Sequence, residues 1–134
     1  MRKNTIIIGM LSLFFVALIG CTSVYKEPVD GYKSSSVHDD FPIPNSAVLT
    51  TTVTETENPN IDNGAKYEVK GIGGEQGLSL PTRYFQEIQA SGWAELEDKR
   101  MGHLHFFEKD DKVVALEIRE NSIEVYEMVE DAKF

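Results

Sequence analysis

Cysteine is almost absent from this chain: Cys21 is the only one. A single thiol excludes an internal disulfide, so the folded part must be held by its core alone. Basic residues are also scarce, with 13 Lys+Arg against 22 Asp+Glu and a formal charge of −9. That balance excludes the clustered cations that phosphate neutralisation needs, and nucleic acid with them. It also excludes adsorption onto anionic lipid through basic residues. It suits solubility, a cationic partner or loosely held divalent cations. Serines are present, but none lies in a Gly-x-Ser-x-Gly context, so no nucleophile elbow is on offer. No internal repeat is visible. The 134 residues suffice for one domain, with 41% hydrophobic and 26% charged residues, a globular mix that excludes wholesale disorder.

What is present begins at the N-terminus. Arg2 and Lys3 precede an uncharged run from Ile6 to Gly20. The run is shorter than the ~20 apolar residues of a spanning helix. It fits the charged and apolar regions of a secretory signal, with a small residue before the cleavage point. Leu18-Ile19-Gly20-Cys21 resembles the lipobox of bacterial lipoproteins, with Ile19 less usual at its position. The resemblance covers residues 1–21 alone. It implies cleavage after Gly20 and a diacylglycerol thioether on Cys21. Two acyl chains on one residue meet the two-signal requirement for stable anchoring. Arg2 and Lys3 are the only charged residues lost with the signal, so 11 basic residues remain against 22 acidic ones, a formal −11. Such a domain is repelled by an anionic membrane and stands off from it.

The organisation expected is a signal peptide over 1–20, a lipidated cysteine and flexible tether over 21–40, a globular domain over 41–128 and a fraying tail over 129–134. The tether reading rests on Ser, Asp, Pro and Gly without periodicity. Phe41-Pro-Ile-Pro marks the boundary, because two prolines impose extended geometry. Thr- and Val-rich 47–55 and alternating 66–70 read as two strands around a turn-rich segment at 58–64. A helix follows, with Ser79 as N-cap, Pro81 in its first turn and Tyr84, Phe85 and Ile88 on one face. Gly92 suits a left-handed C-terminal residue and Trp93 the hydrophobic contact beyond it. Four further strands fall over 93–98, 103–108, 113–119 and 122–128, the last two joined through Glu120-Asn121. The expected fold is α+β: one amphipathic helix on an antiparallel sheet in β-β-α-β-β-β-β order, its other face wet.

Three features invite a chemical reading. Gly71-Ile-Gly-Gly-Glu-Gln-Gly77 lies between strand and helix, where a dinucleotide loop would lie. The fingerprint needs glycine at 76, where Gln76 stands, and Glu75 would oppose a pyrophosphate. It reads instead as a mobile connection. His103 and His105 sit two apart, so in a strand both rings share one face and can approach one metal. Two ligands do not make a site, and Met101 and Phe107 on the same face make it a partly covered sheet surface. Asp39-Asp40 and Asp110-Asp111 read as linker and turn residues. No catalytic residue, metal ligand or cofactor is assigned.

The function expected is that of a small lipoprotein on the extracytoplasmic side of a bacterial cell membrane, anchored through Cys21. Its domain is expected to bind an envelope protein, an envelope polymer or a cationic partner without catalysis. The alternative is a metal-ion or small-ligand binder using His103 and His105. A carboxylate-only enzyme acting on cell-wall glycans ranks third, because so small a domain leaves little room for a cleft beside its core.

Overall fold

Segments rich in β-branched and aromatic residues recur along the chain, and strands dominate the result. The computed structural model describes residues 30–134. The signal segment and Cys21 lie outside the described residues. Eight strands are formed: β1 (Tyr32–Ser34), β2 (Pro42–Pro44), β3 (Val48–Val53), β4 (Ile61–Glu68), β5 (Ala94–Glu95), β6 (Leu104–Lys109), β7 (Lys112–Ile118) and β8 (Ser122–Met128). One helix, α1 (Thr82–Ala90), lies between β4 and β5. Strands β3-β4-β8-β7-β6-β5 make a six-stranded antiparallel sheet, and β1 and β2 make a separate antiparallel ribbon. The class is α+β, with mostly antiparallel sheet and one helix.

The core lies between α1 and one sheet face. Tyr84, Phe85 and Ile88 point down from the helix, and Phe107, Leu116, Ile123 and Val125 rise from the sheet to meet them. Burying each large apolar side chain is worth about 1.5–3 kcal/mol. The helix ends as its sequence predicts. Trp93 N–H donates to the Ile88 carbonyl at 3.3 Å and Gly92 N–H to the Gln89 carbonyl at 2.9 Å, with Gly92 at φ +93°. These are the paired bonds of a Schellman ending, and Trp93 is buried beyond them. Its start differs from expectation. Pro81, not Ser79, occupies the N-cap position, and no side chain caps it. The Ser79 amide is instead bonded to the Gly73 carbonyl at 2.8 Å.

The segment up to residue 40 was expected to be tether, yet folded structure is already present from Tyr32. Tyr32–Ser34 pairs with Pro42–Pro44, and Val37, Phe41 and Ile43 enter the core. The polar residues that suggested a tether satisfy a tight loop instead. Ser35 Oγ donates to the His38 carbonyl at 2.9 Å and accepts from the His38 amide at 3.0 Å. Phe41 packs edge-on against Trp93 and Phe107, while Trp93 Nε1 donates to the Asp40 carbonyl at 3.0 Å.

The tail expected to fray at 129–134 is also held. Val129 N–H donates to the Asn60 carbonyl at 2.9 Å, and Phe134 stacks on Phe106 with centroids 4.7 Å apart. The glycine loop expected to be mobile is pinned. Gly71 N–H donates to Asn121 Oδ1 at 2.8 Å, Gly73 N–H to the Glu120 carbonyl at 3.2 Å, and Ile72 is buried. A Cβ on Gly73 would lie 2.3 Å from the Arg119 carbonyl oxygen. Glycine here permits close packing on the β7–β8 turn, not movement.

Candidate functional site

The sheet face turned away from α1 was expected to be wet. It carries a second apolar cluster instead: Phe106, Ala115 and Met128 are buried, with Ile61, Leu104 and Tyr126 packed on them. Strand register explains the grouping. Phe106 lies opposite Ala115, Ala115 opposite Tyr126, and Tyr126 opposite Gly64. Paired residues share a face, so these four form one row across the sheet. Gly64 is part of the fit: a Cβ there would lie 2.4 Å from Tyr126 Cδ1. The Tyr126 ring therefore lies across the space that a side chain would fill.

Residues 129–134 cross one end of this face. Asn60 clamps the crossing segment, its Nδ2 donating to the Lys133 carbonyl at 3.1 Å and its Oδ1 accepting from the Lys133 amide at 3.0 Å. What stays open is a groove of about 360 Å³, with Leu104, Phe106 and Met128 in its lining and Met101 and Phe134 among its walls. Met101 is 57% exposed and Phe134 41%, so the walls are apolar surface in contact with water. Glu117, Asn58 and Lys133 supply polar lining.

Beside the groove runs a charged row. Leu104 pairs with Glu117, Glu117 with Glu124, and Glu124 with Lys66. Two glutamates directly opposite one another repel unless each is neutralised. Lys66 Nζ lies 3.1 Å from Glu124 Oε1, Tyr126 Oη donates to Glu124 Oε2, and Arg119 pairs with Glu117. Burial disfavours the Glu124 carboxylate, but the Tyr126 and Lys66 contacts outweigh it and hold its pKa below 4.5. Burial, and then its bond to Glu124, pushes the Tyr126 phenol pKa up.

A second cluster lies on the helix side. Glu95 pairs with Phe107, and His105 shares that face two residues earlier on β6. His105 Nδ1 lies 2.9 Å from Glu95 Oε1. Arg100 forks the same carboxylate, Nε to Oε1 at 2.6 Å and Nη2 to Oε2 at 2.7 Å. The Glu95 and His105 side chains are each 4% exposed. Burial pushes the Glu95 pKa up, yet the bonds from Arg100 and His105 bring it below 4.5. An ionised carboxylate only accepts hydrogen bonds, so Nδ1 carries the proton. Phe85 covers the imidazole edge-on at 4.9 Å. The arrangement latches the β5–β6 turn.

The residues singled out in the sequence are not assembled into one centre. His103 lies in the turn before β6, its carbonyl accepting the Ile118 amide at 3.0 Å, while His105 is engaged by Glu95. No group of three or more His, Cys, Asp or Glu disposed to hold a metal occurs among the described residues. Asp110 and Asp111 form the β6–β7 turn, both at positive φ. Asp40 contributes its carbonyl to Trp93 and a carboxylate oxygen 3.4 Å from Lys109 Nζ. No helix among the described residues is long and apolar enough to cross a membrane. The groove had one trace in the sequence: Phe106-Phe107 and Val113-Val114-Ala115-Leu116 are continuous apolar runs, which mark strands covered on both faces. No protein-family model, curated protein or solved structure matches the chain.

Proposed function

We propose that this chain is a cell-envelope lipoprotein, anchored by diacylglycerol on Cys21, whose domain is a non-catalytic interaction module. Its unit is the β-β-α-β-β-β-β arrangement, preceded by the short β1–β2 ribbon. The observation that carries the reading is the groove on the helix-free sheet face. Its walls expose apolar side chains to water, and occupation by a partner's apolar group removes that cost. The mature charge of −11 favours a partner with a basic residue beside the apolar one. The occupant is thus an envelope polypeptide carrying an apolar-basic segment. The lipobox resemblance supports the address, and the two-chain anchor supports lasting attachment. The metal reading through His103 and His105 gains no support from their placement.

A photoreactive residue at position 101 of the full chain in intact cells tests this. The expected result is one discrete adduct with a polypeptide that mass spectrometry shows to carry such a segment. Leu104→Asp should abolish it without changing the circular dichroism. No adduct, or the same adducts from position 86 on the outer face of α1, would refute the reading.

A further inference from the structure

The two edges of the six-stranded sheet are built differently. At one edge β5 is only two residues long, and after Leu96 come charged Glu97, Asp98, Lys99 and Arg100. A short edge flanked by charge resists pairing with another strand. At the other edge β3 is six residues long, Val48-Leu-Thr-Thr-Thr-Val53, and among the described residues it pairs only with β4. It contains no charge and no proline, and residues 48 to 52 are all exposed. Its β-branched residues favour the extended state. Most natural edges carry a guard of some kind, and here the only irregularity is a bulge between Leu49 and Thr51.

We infer that β3 is an interface on which a second copy of this chain adds its own β3 antiparallel, joining two sheets across a two-fold axis. Charge selects the occupant. From Phe41 to Thr54 the sequence holds no charged residue, between Asp40 and Glu55. No other stretch of residues 30–134 is uncharged for so long. Two copies of so acidic a chain repel over most of their surfaces, but not along this edge. The bulge also makes the strand self-complementary. Val48 and Val53 pair with Glu68 and Gly64 on the open face, whereas Leu49 and Thr52 pair with Tyr67 and Ala65 on the helix side. In the two-fold pairing Val48 meets Val53 of the second copy and Leu49 meets its Thr52. Each pair then shares a face, which an unbulged strand in this register would not allow. The interface is isologous, as two-fold dimers require. Strand addition alone is a small contact, and anchoring both copies in one membrane raises their effective concentration. That last clause rests on the proposed anchor; the pairing itself does not.

The test is a disulfide in the full chain. In Val48→Cys/Val53→Cys the two introduced thiols lie five residues apart on one extended strand, ~17 Å. They cannot join within a chain, but they face each other across the two-fold axis. Mild oxidation of membranes should convert the double variant to a covalent dimer at least tenfold more than either single variant. Adding Thr51→Lys should prevent it while leaving the circular dichroism unchanged. Independently, the wild-type chain in non-ionic detergent should sediment as a dimer. A monomer there, a crosslink no stronger than in the single variants, one that survives Thr51→Lys, or one to a different polypeptide would each overturn the proposal. Capture at position 101 would be unaffected by any of these results.

Discussion

Asn60 and Lys133 are joined as two paired strands would be, the carboxamide of one serving both the N–H and the C=O of the other. This clamp fixes the segment that carries Phe134 onto Phe106. Asn60→Ala removes both bonds, at a cost of about 1 kcal/mol for a partly exposed pair. The Lys133 amide should lose hydrogen-exchange protection, and the Phe134 ring resonances should move toward free values. Asn60→Asp keeps the acceptor and loses the donor, so it should fall between. Unchanged protection at Lys133 in Asn60→Ala would show that the stacking alone holds the segment.

Glu95 should make folding stability fall with acid. Its folded pKa lies below the ordinary 4.5. A depressed carboxylate contributes stability above its unfolded pKa and loses it as pH falls through the folded value. Glu124 behaves the same way. Denaturant unfolding of the wild type should therefore weaken as pH drops below 4.5. Glu95→Gln should cost about 1.5–3 kcal/mol at neutral pH, the range for hydrogen bonds to a charged group. It should also flatten the acid slope, with Glu124 leaving a residue of it. An unaltered slope would contradict the role given to the latch.

Gly64→Ala drives a methyl into the Tyr126 ring. The expected loss is about 1–3 kcal/mol, as in other overpacked sites. Thermal unfolding reads it. If the clash is the cause, Tyr126→Ala in the same chain should remove most of the penalty, a coupling that a double-mutant cycle measures.

Asp110 and Asp111 sit at φ +48° and +63° in a two-residue hairpin turn. Such turns favour glycine at the second position. Asp111→Gly should stabilise the domain by about 0.5–1 kcal/mol, because the left-handed region carries no Cβ penalty in glycine. A lower melting temperature for this variant would refute the strain assigned to the turn.

How much of this was legible depended on the range of the signal. The α+β class and the helix C-terminus rest on local features: alternation in 66–70, and Gly92 with Trp93 beyond it. The 30–40 segment misled because serines look alike in a tether and in a loop, where Ser35 and His38 bond each other. Its apolar residues, Tyr32 and Val37, are too few and too widely spaced to show a period. The wet face was inferred from alternation, yet Phe106-Phe107 already broke it. Glu95 and Arg100 had no signal at all. Among so many acids, only the β5–β6 register selects the one that meets His105. The tail's placement likewise depends on Asn60, far away in sequence.

The partner class proposed for the groove follows from the address, so the anchor is the claim on which the account depends most. The chain extracted from bacterial membranes can be proteolysed and its N-terminal peptide weighed. The account predicts a peptide that begins at Cys21 and carries the added mass of a diacylglyceryl group, with or without a further acyl chain. A peptide that retains residues before Cys21, or one with an unmodified Cys21 thiol, would contradict it.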